Sequence, residues 1–208
     1  TISTGGAGGS GIVIARAPTS AGVILGGNPG CAAEVVGENI IKFTSSGNLT
    51  VLDSGCGVSA NYLVVAGGGG AGIATPSEPD SRRVGGAGGA GGYRSSGFGP
   101  SPLRGTTLNL GAGKYSITVG AGGAGAPNTS STGARGSESI FYSITSTGGG
   151  GGKTSGAPTP DNNANSPGGS GGGGAGNPAA YTAGSGNTPP TDPPQGNPGG
   201  IGNGPGGA

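Results

Sequence analysis

Glycine fills 57 of the 208 positions and is bunched into runs such as Gly67–Gly70, Gly148–Gly152 and Gly171–Gly174. A residue without a side chain buries no apolar surface and loses the most backbone freedom on folding. Side-chain packing therefore cannot hold these runs in place. Two states remain open to them. One is a flexible Gly/Pro linker or irregular loop. The other is an extended threefold helix that rises about 3.1 Å per residue and has no internal hydrogen bonds. Every N–H and C=O of such a helix points outward and needs a neighbour. Helices packed side by side satisfy one another through N–H···O bonds and weaker Cα–H···O contacts, and only glycine permits that approach. The strict Gly-X-Y period of a collagen helix is missing.

Between the runs lie short apolar bursts with strand character. Residues 11–16, Gly-Ile-Val-Ile-Ala-Arg, form a β-branched run ended by Pro18. Val35-Val36, Ile40 to Thr44, Leu49 to Leu52 and Tyr62 to Ala66 predict a β-meander over 33–66. The last of these is the most continuous and is expected to be a central strand buried on both faces. Thr107 to Leu110 and Tyr115 to Val119 alternate apolar and polar residues, and Gly111-Ala112-Gly113 between them suggests a hairpin loop. Ser139 to Ile144 is the final burst. Beyond Gly148 the only sizeable apolar side chains are Tyr181 and Ile201, so that segment builds no hydrophobic core of its own. The expected fold is mainly β with almost no α-helix: an antiparallel sandwich or meander carrying threefold glycine helices and long loops. Its expected parts are an N-terminal arm (1–18), a β-rich domain with glycine-rich insertions (19–147) and a Gly/Pro-rich segment packed on that domain (148–208).

Charge and residue types narrow the function. Charged residues make up 8% of the chain, against about 25% in ordinary domains, and the net charge is +1. Bulk electrostatics thus offers nothing to nucleic acid or anionic membranes. No apolar stretch approaches the ~20 residues of a membrane-spanning helix. Thr147-Gly-Gly-Gly-Gly-Gly-Lys153-Thr154 comes close to a phosphate-binding loop but lacks its first glycine, and the Pro-bearing sequence after Ser155 cannot open the helix that the phosphate requires. The chain has no histidine, and its eight acidic residues are scattered, so neither proton-shuttle catalysis nor a metal or cofactor site is expected. Nothing here predicts an enzyme. Thr1 opens the chain without a signal-peptide pattern, as expected of a processed product. Cys31 and Cys56 suit a disulfide in an oxidising, extracellular or cell-surface setting, the alternative being two buried thiols. Asn48 and Asn128 stand in glycosylation sequons, and Thr188 and Thr191 in a Thr/Pro stretch that offers O-linked acceptor sites.

Two features together resemble a known family. Asn61-Tyr-Leu-Val-Val-Ala-Gly-Gly-Gly-Gly-Ala-Gly72 is similar to the "YLVVAGGGGG" opening of a glycine-rich repeat domain found in phage tail-fibre and adhesin proteins and in bacterial surface proteins. Ala90 to Tyr93, Lys114 to Ala124, Ser143 to Gly152, Gly168 to Gly174 and Gln195 to Gly200 follow in that family's order. The resemblance spans roughly residues 40–208 and implies extracellular binding or fibre structure. It also implies a closing strand, similar to "GGSGIVIxR", after the last glycine run. Here the matching sequence, Gly8 to Arg16, stands at the other end of the chain. That strand either folds back into its own sheet or inserts into the next copy. The leading expectation is an extracellular filament whose subunits polymerise head-to-tail, itself being the main partner. Gly11, Ile12, Val13, Ile14 and Ala15 would form the donor strand, with Ile12 and Ile14 on one face. Tyr62, Leu63, Val64 and Val65, and Tyr115, Ile117 and Val119, are the candidate acceptor strands. The alternatives are an adhesin that reads host glycans or protein through loops 73–83 and 157–166, and, further off, an ice-binding helix bundle.

The cysteine reading has a direct test. Thiol titration of the denatured, unreduced protein is expected to find no free thiol, and reduction is expected to lower stability by roughly 3 kcal/mol on loop-entropy grounds.

Overall fold

The fold was analysed in a computed structural model that describes residues 4–19, 25–28, 31–35, 38–52, 57–74, 84–101, 103–155, 166–176 and 182–202, with backbone alone for 25–28 and 31–35. Twelve strands are assigned there: β1 (Ile12–Pro18), β2 (Leu25–Asn28), β3 (Cys31–Val35), β4 (Glu38–Phe43), β5 (Gly47–Val51), β6 (Val58–Val65), β7 (Tyr93–Ser96), β8 (Arg104–Gly105), β9 (Leu108–Leu110), β10 (Gly113–Thr118), β11 (Ser139–Phe141) and β12 (Ile144–Ser146). No α-helix occurs among the described residues. The chain is mainly β, as the short apolar bursts between its glycine runs predict.

The strands form two sheets. One runs β3-β4-β1-β6-β7-β8, with β9 paired to the start of β6, and the other runs β12-β11-β10-β5-β2. Alternation decides what faces inward. Val13, Ala15 and Ala17 of β1, Ile41 and Phe43 of β4, and Val58, Ala60, Tyr62 and Val64 of β6 meet Leu49, Val51, Ile117 and Phe141 of the second sheet in one core. Each of these side chains is buried, and a Val or Leu in such a place contributes about 1.5–3 kcal/mol.

Three expectations need correction. The bursts over 33–66 do not follow one another as a meander, because β1 lies between β4 and β6 while β5 crosses to the other sheet. Residues 107–119 are not a hairpin. Leu108 and Leu110 turn into the core from beside β6, whereas β10 pairs with β5 and β11, so Gly111-Ala112-Gly113 carries the chain between sheets. Strand β6 is central but asymmetric: Tyr62 and Val64 are buried, and Asn61, Leu63 and Val65 are only half-buried.

Continuous with one end of the sheets is a layer built almost entirely from backbone. The amides of Gly67, Gly68 and Gly69 donate to the carbonyls of Ser137, Gly9 and Gly89. Those of Gly70, Ala71 and Gly72 then return to the same three neighbours at Ala134, Gly6 and Gly86, all at 2.8–3.0 Å. Three directions repeating every three residues is the signature of a threefold helix. The carbonyls of Gly67 and Gly70 accept from Gly149 and Gly152, and those of Gly68 and Ala71 from Gly123 and Ala126. Helix 66–73 is thus surrounded by segments 4–11, 84–92, 120–126, 133–138 and 147–155. Segment 168–176 adds to the outer side of 84–92 and 147–155 through Ser170 N to Ala90 O (3.0 Å) and Gly150 N to Ser170 O (2.9 Å).

Local sequence follows position in this layer. Residues 146–155 are buried without interruption, and there the run is Gly148–Gly152. Edge helix 84–92 is exposed at every third residue, and there the repeat becomes Gly-Gly-Ala, with Ala87 and Ala90 outward. Segment 133–138 keeps glycine only at 133 and 136, and its Arg135 and Glu138 stand in solvent.

A Cβ on Gly150 would collide with the Ser166 carbonyl and the Gly172 amide, whereas one on Gly9 would meet nothing within 4 Å. Chemical denaturation should therefore show Gly150→Ala losing more than about 3 kcal/mol or failing to fold. Gly9→Ala should be neutral or stabilising by up to about 1 kcal/mol.

Candidate strand-acceptor slot

The N-terminal arm runs through both halves of this architecture. Its first part, residues 4–11, is a glycine helix at the rim of the layer. The amides of Gly5, Gly8 and Gly11 donate to the carbonyls of Ala126, Gly123 and Gly120 at 2.8–3.0 Å, and the carbonyls of Gly6 and Gly9 accept from Ala71 and Gly68. Glycine is obligatory at 5, 8 and 11, where a Cβ would run into the carbonyls of Ala71, Gly68 and Val65. Its second part is β1, which fills the slot between β4 and β6 in antiparallel register on both sides. Val13 lies opposite Phe43 and Val64, and Ala15 opposite Ile41 and Tyr62. Val13, Ala15 and Ala17 point into the core, and two successive inward alanines let the opposing sheet approach closely.

Ile12, Ile14 and Arg16 take the outer face. Arg16 places Nη1 2.8 Å from Glu38 Oε2 of β4 and holds its guanidinium 3.7 Å from the centre of the exposed Phe98 ring. A cation over an aromatic face is worth about 0.5–1 kcal/mol at such a site. Beside this pair is a shallow apolar groove of about 200 Å³, lined by Ile14, Ile40, Leu63, Tyr93 and Phe98. Ser96 ties the adjacent edge to β6: its Oγ accepts from Tyr62 N (3.1 Å) and donates to Asn61 Oδ1 (3.2 Å).

Two titratable groups are displaced by burial. Desolvation pushes the Tyr62 phenol above its ordinary range, offset in part by the positive charge of Arg94. Burial pushes the Lys153 ammonium down; its Nζ donates to Thr182 Oγ1 at 3.3 Å. No group of acidic or cysteine side chains able to hold a metal ion occurs among the described residues.

The structure brings Gly11 to Ala15 together with Tyr62 to Val65, which are direct neighbours. Tyr115, Ile117 and Val119 lie elsewhere: β10 belongs to the second sheet, Ile117 is core, and Tyr115 packs edge-on against Tyr142 with ring centres 5.2 Å apart. Within this chain the second wall of the slot is β4, whose Ile40-Ile41-Lys42-Phe43 burst is as clear in the sequence as that of β6. Cys56, the Cys31 side chain and most of loops 73–83 and 157–166 fall outside the described residues.

The modification candidates differ in setting. Asn128 is exposed, and its Oδ1 accepts from Ser130 N (2.9 Å) and Ser131 Oγ (3.0 Å). Asn48 sits mid-strand in β5, opposite Ser116 and Asn28. The Thr188 hydroxyl donates to Gly186 O (3.1 Å), and that of Thr191 lies between Asn187 Oδ1 (2.9 Å) and Pro193 O (3.0 Å). Sequence reasoning missed the organisers of this stretch. Asn187 Oδ1 also receives the amides of Thr191 and Gln195, and buried Gln195 bridges Thr147 N (2.8 Å, through Oε1) and Pro189 O (3.0 Å, through Nε2).

The described residues form a β-sandwich continued into a glycine-helix layer, with β1 completing the sheet between β4 and β6. The sequence profile described as glycine-rich domain matches residues 44–208, and the chain belongs to that family. Comparison with curated proteins and with solved structures returned no match. The matched region begins after β4, so the arm and the slot's outer wall lie upstream of it.

Proposed function

We propose that this chain is the structural subunit of a self-assembling extracellular filament, in which the N-terminal arm of one copy fills the slot of the next. The observation that carries this reading is the place of β1 at the centre of its sheet. Strands β4 and β6 meet only through it, so removing the arm exposes two strand edges and opens the core at Val13, Ala15 and Ala17. A slot of that kind demands a strand, and an identical arm from a second copy supplies the same register and side chains. Strand addition of this type gives main-chain hydrogen bonds for affinity and alternate side chains for specificity. A head-to-tail contact that does not close on itself propagates as a filament. An arm that plugs both the sheet and the glycine layer suits a permanent joint, since both sets of bonds must break together.

The apolar groove over Ile14, Leu63, Tyr93 and Phe98 favours a second reading, the phage or cell-surface adhesin, because exposed aromatic rings stack on sugar faces. Binding of the folded protein to a glycan array, lost in Phe98→Ala, would support it.

Negative-stain electron microscopy and sedimentation of the purified protein test the filament. Intact protein is expected to form unbranched filaments, and protein lacking residues 1–17 is expected to form none. Filaments from the shortened protein, or intact protein that stays monomeric at high concentration, would overturn the proposal.

A further inference from the structure

A close-packed rod has six neighbours, and helix 66–73 has five among the described residues. Hydrogen bonds between the neighbours fix their order around it. Segment 4–11 is bonded to 120–126, that to 133–138, that to 147–155, and that to 84–92. Segments 84–92 and 4–11 share no bond, and the sixth position lies between them.

Three rows of backbone groups face that gap. The carbonyls of helix 66–73 point in three directions. Two are taken by donors from 147–155 and 120–126, and the third, that of Gly69 and Gly72, is aimed into the gap. On segment 4–11 the amides of 5, 8 and 11 turn toward 120–126. A 120° rotation per residue then turns those of Gly6 and Gly9 to the gap. On segment 84–92 the amides of 86, 89 and 92 turn toward 147–155, and the same rotation brings Gly85, Gly88 and Gly91 round to it. None of these amides or carbonyls has a backbone partner among the described residues. Gly68 stands at the floor: a Cβ there would point into the gap, with the nearest atoms, Gly89 O and Gly9 N, both 3.7 Å away. Ala71, one turn on, projects its methyl group the same way.

We propose that the gap is a docking groove for a glycine helix of a second copy of this chain. Donors on both walls and acceptors on the floor fit a threefold backbone. The spacing excludes ordinary peptide, because a Cβ at the equivalent inward positions of the layer collides with neighbouring carbonyls. Among the described residues the groove presents no charged side chain to nucleic acid or to a lipid headgroup. The chain itself carries what the groove needs. Edge segment 4–11 has a Gly-Gly-Ala/Ser repeat, and the outward amides of Ala7 and Ser10 donate to no backbone carbonyl among the described residues. The Ala71 methyl stands where a sixth helix would pass Gly72, so the contact ends after little more than one turn. It is a short, reversible lateral contact, and it holds whether the arm pairs within its own copy or with the next.

Two opposite substitutions test this in the intact protein by sedimentation velocity over a dilution series. Gly68→Ala puts a methyl group in the groove without a clash, and Ala71→Gly removes the one already there. Wild type is expected to self-associate reversibly. Gly68→Ala should weaken that association, and Ala71→Gly should strengthen it, each by about tenfold, the equivalent of one or two backbone hydrogen bonds. The melting temperature of Gly68→Ala is expected to stay at or above that of wild type. No reversible association of wild type, or one association constant shared by all three proteins, would overturn the groove. Oligomers that persist on dilution and ignore both substitutions would likewise overturn it, while leaving arm exchange standing.

Discussion

Direct contact of backbone with backbone, at a spacing that leaves no room for a Cβ, is the constraint on which the rest of the structure depends. In an ordinary domain the hydrophobic effect assembles side chains and the backbone satisfies itself inside strands and helices. Here the sandwich core does that for about a dozen strands. The remaining backbone is satisfied helix to helix, with amides at 66–72 spread over three neighbouring segments. Each such bond has a modest net worth, near 1 kcal/mol, but a buried amide left without one costs more. The layer is therefore cooperative by necessity: no single glycine helix is stable alone.

The arm is where the two modes of cohesion meet. Gly5, Gly8 and Gly11 tie it to the layer, and Val13, Ala15 and Ala17 tie it to the core. The sheet and the layer share one direction of chain. Strand β6 passes into helix 66–73 and helix 4–11 passes into β1, so the two antiparallel partners stay side by side through the change from pleated to threefold backbone. That continuity lets one fifteen-residue segment complete both.

Much of this was legible in the sequence. Runs of glycine mark the helices with the most neighbours, and Gly-Gly-Ala or Gly-Gly-Ser repeats mark rims, where there is space for a methyl or hydroxymethyl group. The period-two bursts marked β1, β4, β5, β6 and β10 correctly as strands. Their partners were not legible. Leu108 to Leu110 and Tyr115 to Val119 look like a hairpin because local alternation and a Gly-Ala-Gly link say nothing about which sheet each strand joins. Pairing β10 with the arm failed within this chain for the same reason: β-branched alternation fits either sheet equally. Segment 133–138 escaped notice because its Arg135 and Glu138 hide a glycine every third residue. Asn187 and Gln195 gave no signal, since one side-chain amide among prolines looks the same whether it organises a loop or is solvated.

Residue-resolved amide hydrogen exchange measures the backbone layer most directly. Strong protection is predicted at Gly67 to Gly72, and at Gly149, Gly150 and Gly152, comparable to that of β6. In helix 84–92 protection should recur every third residue, at Gly86, Gly89 and Gly92, with rapid exchange at Ala87, Gly88, Ala90 and Gly91. Uniformly fast exchange through the glycine runs would contradict the account, because no side-chain contact in this protein could then be holding them.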